Sequence, residues 1–152
     1  MEPIPFRPTD DDRGRHPMPA SVPPGLRLEL SRARLLDGAE ATFDEWMSTL
    51  HDRYDECEAT LADERVAFEA TFLNREADGS MWMYHLTLLG EDSRGLDPTA
   101  SSIDADHEAY ARRTKERGWE ELAPTFLLAP PHIREAMRQW GTTGTGGGDA
   151  TA

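Results

Sequence analysis

Cysteine, lysine and long apolar runs are nearly missing from this chain of 152 residues, and each shortage removes a class of function. Cys57 stands alone, so neither an intrachain disulfide nor a cysteine metal cluster is possible, and nothing points to an oxidising compartment. Its place on an apolar helical stripe marks it as a small core residue. Lys115 is the single lysine beside 15 arginines, a skew that fits a GC-rich genome or a salt-adapted proteome better than a binding role. Positive charge is scarce overall, with 16 basic against 29 acidic residues and a net charge of −13. Phosphate backbones and anionic membranes are bound by clustered Lys and Arg, so nucleic acid and membrane are not expected partners. The opening stretch "MEPIPFRPTDDDRGRHPMPASVPP" lacks the apolar centre of a signal peptide, and no run is long enough to span a bilayer. A cytoplasmic location is the expectation.

Packing patterns are absent at both ends. Residues 1–24 are rich in Pro and charge, and residues 141–152 read "GTTGTGGGDATA". Such compositions bury too little apolar surface to offset chain entropy, so both are expected to be disordered or loosely draped around a single α+β domain at 25–140. "GTGGG" is no phosphate loop, because it follows no strand and lacks the lysine of a P-loop.

Within 25–140, "LRLELSRARL" (26–35) alternates as a half-buried strand. Thr42 with Glu45 forms a capping-box pattern, and Phe43, Trp46, Met47, Leu50, Tyr54, Cys57 and Leu61 recur at helical spacing. "VAFEATFL" and "MWMYHLTLL" flank Asp78-Gly79, a hairpin turn signal, and read as two antiparallel strands. A loop over 90–100 leads to a helix capped by Ser101 or Ser102, with Ile103, His107, Tyr110, Ala111 and Thr114 on one side and Gly118 at its end. "ELAPTFLLA" (121–129) reads as an edge strand because of Pro124, and Pro130-Pro131 opens a short helix.

The order βαββαβ plus a terminal helix predicts a ferredoxin-like arrangement, a four-stranded antiparallel sheet of order 4-1-3-2 with helices on one face. "LRLELSRARL", "FDEWMSTLHDRYDE" and "AFEATFLNREADGSMWMYHLT" together resemble an uncharacterised prokaryotic family placed among the dimeric α/β barrels. The resemblance implies a homodimer whose second copy covers the free sheet face. That superfamily spans monooxygenases of antibiotic biosynthesis, small isomerases and cyclases, and stress-responsive proteins, so it leaves the reaction open.

Alternation sorts the strands into two sets. Leu26, Leu28, Leu30, Val66, Phe68, Ala70, Phe72, Trp82, Tyr84, Leu86 and Leu88 form the apolar set, expected under the helices. The other set holds Arg27, Glu29 and Ser31, then Ala67, Glu69, Thr71 and Leu73, then Met81, Met83, His85 and Thr87. With the third strand in the middle, Glu29 and Glu69 are expected to flank His85 and converge on it. A dimer closing over this face would desolvate the trio and poise it for acid/base catalysis. Glu69, His85 and Glu29 are therefore the catalytic candidates, and Arg27, Thr71, Thr87, Met83 and His107 the candidates for binding a small organic ligand, with Arg27 orienting an anionic group. Carboxylate and imidazole suit zinc, manganese or iron, but no ligand spacing supports a metal site, and no cofactor is expected. The reaction class is proton transfer of isomerase, cyclase or cofactor-free oxygenase type. The alternatives are a non-catalytic dimeric binding module, or a polar face that is simply wet. His107 reads more readily as lining the core, His51 as solvated.

Overall fold

The computed structural model of the chain describes residues 16–92, 102–116 and 118–146. The loop expected at 90–100 falls mostly outside them, as does the Ser101 cap. Strands β1 (Leu26–Arg34), β2 (Val66–Arg75), β3 (Met81–Gly90) and β4 (Glu120–Leu122) form one antiparallel sheet in the order β2-β3-β1-β4. Read from the β4 edge, this is the expected 4-1-3-2. The β2–β3 hairpin closes on Asp78 and Gly79: Gly79 takes φ 87°, and the Asp78 carboxylate accepts from the Ser80 amide at 2.8 Å.

The single helix expected after β1 is two helices, α1 (Glu40–Asp52) and α2 (Tyr54–Glu64), broken at Arg53. Arg53 spans the break, donating to Glu56 at 2.7 Å, to Ser102 Oγ at 2.9 Å and to Asp106. The bend lets α1 pack on α3 (Ser102–Thr114) while α2 runs along β2. The Thr42–Glu45 capping box is not used, because the helix begins at Glu40 behind Ala39 with no side-chain cap. β4 is shorter than the pattern of 121–129 suggested. Pro124 has no N–H to give the ladder, and beyond it the Leu127 amide donates instead to Ser21 Oγ at 2.9 Å.

The largest correction concerns which sheet face meets the helices. Ala33, Leu35 and Met83 pack with Phe43 and Trp46 of α1 and Ala111 of α3. Ala33 and Met83 are direct partners, and Ser31, His85 and Thr71 lie one step along on the same side. The mixed set is therefore the inner face, beneath α1 and α3. The apolar set forms the outer face. There Leu26 and Leu88 are covered by Val22 and by Met137 of α4 (Pro131–Thr143), with Met18, Leu28, Phe68 and Leu127 packed around them. Alternation groups side chains by face but does not say which cover each face receives. Here the aromatic stripes of α1 and α3 supply enough apolar surface to seat on a face that is only partly apolar.

Parity also fails once. Val66 pairs with Leu89 whereas Phe68 pairs with Leu88, so a bulge at Ala67 puts Val66 on the inner side, apart from Phe68. The folded body also exceeds 25–140. Val22 is buried, the Leu28 amide meets Met18 Sδ at 3.3 Å, and Gly141 is buried inside α4.

Candidate functional site

Between β2 and the α1–α2–α3 layer lies a cavity of about 460 Å³, within the usual range for small-molecule sites. Its floor is β2: Glu69 and Thr71 point up from the inner face, with Ala67 and Phe68 at the bulged end. Met47, Leu50 and His51 enter from the end of α1, Tyr54, Cys57 and Leu61 from α2, and Ile103, Asp104 and His107 from α3. The break at Arg53 creates the space, since one continuous helix could not both pack on α3 and follow β2.

Glu69 and His85 meet on the inner face, with Glu69 Oε2 3.7 Å from His85 Nε2. They are diagonal neighbours, because Glu69 pairs with Thr87 while His85 pairs with Thr71 and Ser31. The expectation that Glu29 and Glu69 flank His85 is thus corrected by one step of register: both flank Thr87. The His85 ring also lies 6.4 Å from Trp119, next to the buried Lys115, whose Nζ sits 4.4 Å over the Trp119 ring.

The remaining candidates divide. Thr71 and His107 line the cavity with Glu69. Glu29 does not. It is held 3.3 Å from Arg27 Nε, and Arg27 donates onward to the His16 carbonyl at 3.2 Å. Arg27 therefore anchors the N-terminal segment and is not among the lining residues. Thr87 is buried, with its hydroxyl donating to the Phe68 carbonyl at 3.3 Å, and Met83 belongs to the core.

His107 has a fixed state. Trp46 Nε1 donates to its Nδ1 at 2.7 Å, and the rings meet edge to face at 5.1 Å. An indole N–H only donates, so Nδ1 is an acceptor and the imidazole is neutral with its proton on Nε2. Cys57, expected in the core, lines the cavity wall. Burial pushes its thiol pKa up, and the charge of Glu69 pushes it further.

Sequence reasoning missed Asp104, buried in the first turn of α3, and Glu64, buried at the end of α2; both line the cavity. The acidic run "DADHEAY" was the one signal pointing to Asp104. Among the described residues no three His, Cys, Asp or Glu groups converge so as to hold a metal ion, and no helix is long and apolar enough to cross a membrane. A family model described as a family of unknown function (DUF6176) matches residues 26–135. No curated protein and no solved structure matches the chain.

Proposed function

We propose, for a chain that belongs to this DUF6176 family of unknown function, that it binds a small organic molecule in the cavity over β2 and transfers a proton on it. The carrying observation is that Glu69 both lines the cavity and stands 3.7 Å from His85. A carboxylate half withdrawn from water beside an imidazole can exchange a proton with a bound carbon acid and be reset through its neighbour. Glu69 is the group that touches substrate. His85, behind it, positions and tunes Glu69, and His107 offers a neutral imidazole on the opposite wall. The lone Cys57 favours a reducing, cytoplasmic setting.

The test is wash-in of deuterium from D₂O into a panel of carbonyl compounds with acidic α-hydrogens, read by proton NMR. Glu69→Gln is expected to slow exchange on the active compound by roughly 10²–10⁴-fold, the usual contribution of a positioned base. Exchange by Glu69→Gln equal to that of the wild type refutes the assignment.

A second reading is a homodimeric accessory module built like a dimeric α/β barrel. It rests on the outer face, where Ala70, Leu86, Leu30 and Leu122 form one row across all four strands and none of them is fully buried. Phe72 in the next row is 53% exposed. A second copy placing its own row there would cover both.

A further inference from the structure

The charged side chains that line the cavity are all of one sign. Glu58, Glu64, Glu69 and Asp104 contribute carboxylates, and among the described residues no Arg or Lys joins them. Two imidazoles, His51 and His107, line it as well, and Nδ1 of His107 accepts from Trp46 Nε1. Arg53, the nearest cation of α1 and α2, is turned to Glu56, Asp106 and Ser102. The Cys57 thiol pKa is raised first by burial and then by the charge of Glu69, which outweighs the opposing charge of Arg53, with Asp104 and Glu56 adding to the rise, so the field at the wall is negative on balance.

Carboxylates alone would be equally consistent with a metal ion, but these do not gather at one point. They are spread around a void, and apolar groups fill the intervals: Ala67 at the bulged end of the floor, Leu50 and Leu61 from the helices, Ile103 and Tyr54 at the sides. That alternation matches an extended ligand with an apolar body and one or more protonated nitrogens. The aromatic ring of Tyr54 adds to the attraction for an ammonium group. A ligand carboxylate or phosphate would meet only repulsion and lose its hydration.

Resting on the reading of this cavity as a ligand site, we propose that its ligand is an organic amine bound as the cation, not an organic acid or phosphate ester. The acid/base pair at Glu69 then works next to the ligand's ammonium group, with Asp104 and Glu58 as further counter-charges. The net charge of −13 draws such a ligand in and disfavours anions before contact.

The test is calorimetric and NMR titration of the full chain with three probes of matched shape: phenethylamine, 2-phenylethanol and 3-phenylpropionate. The amine is expected to bind at least about tenfold more tightly than the acid, with shifts at Thr71 and His107, and to weaken as salt is raised. Glu58→Gln changes an exposed residue and leaves the fold intact. It and Glu69→Gln are each expected to reduce the preference for the amine. Equal affinity for amine and alcohol, or tighter binding of the acid, overturns the cation assignment and leaves the cavity standing as a ligand site. If no probe shifts Thr71 or His107, both the assignment and the reading of the cavity fall.

Discussion

At the scale of single residues, two buried polar groups set measurable properties. The indole N–H of Trp46 fixes the tautomer of His107. Trp46→Phe removes the donor and leaves Nδ1 without that bond, which is expected to cost about 1–3 kcal/mol. It should also bring the Nδ1-protonated tautomer into the population, visible in imidazole ¹⁵N shifts; an unchanged tautomer means that something other than Trp46 sets it. Lys115 is fully buried, and burial lowers its pKa from 10.5 to about 7. Between these two values the unfolded chain holds more protons than the folded one, so this group's contribution to stability rises with pH from about 7 towards 10.5. Below about 7 the full cost of burying the charge is present, offset in part by Trp119 and the Gly118 carbonyl. Lys115→Met removes this pH-dependent contribution, so the stability of the wild type relative to Lys115→Met is expected to rise between about pH 7 and pH 10. Urea titrations of both proteins across that range check it. A stability difference that does not change with pH would mean that Lys115 does not titrate there.

At the scale of elements, the docking of α4 depends on two glycines. A Cβ on Gly90 would stand 2.0 Å from the Gly141 carbonyl oxygen, and one on Gly141 would stand 2.1 Å from Leu26 Cδ2. The close approach lets Trp140 Nε1 donate to the Val66 carbonyl at 2.7 Å. Because the obstacle at Gly90 is backbone, Gly90→Ala must displace α4, at an expected cost of about 1–3 kcal/mol. The Trp140 indole proton should then exchange faster with solvent; unchanged protection and stability would show that α4 is free to shift. The elements were largely legible in the sequence. β1, β3, the Asp78-Gly79 hairpin and the Pro131 helix start depend on local backbone chemistry. The break at Arg53 was not legible, because Phe43 to Leu61 keep helical spacing straight through it and its partners Ser102 and Asp106 lie in α3. The end of β4 was missed for a related reason: residues 125–129 are apolar enough for a strand, yet the Leu127 amide bonds to Ser21.

At the scale of the whole molecule, the dimeric reading proposed above puts the contact between copies on the outer face. Leu86 lies in the centre of the open row, paired with both Leu30 and Ala70. If two copies meet there, light scattering gives a two-chain mass for the wild type. Leu86→Arg then gives one chain, at a cost of about 2 kcal/mol or more in association. A one-chain mass for the wild type ends the dimeric reading without touching the cavity.

Strand identity and the grouping of Glu69, Thr71 and His85 on one side were determined by the sequence itself, because alternation and turn chemistry act between near neighbours along the chain, whereas the strand order follows only from the βαββαβ arrangement of the whole. Tertiary structure alone decided which face the helices cover, that Glu29 turns to Arg27 while Glu69 turns to His85, and that a cavity opens over β2. Each of these outcomes depends on contacts between residues far apart in sequence, where competing covers, register and a bulge at Ala67 are resolved by packing and not by local preference.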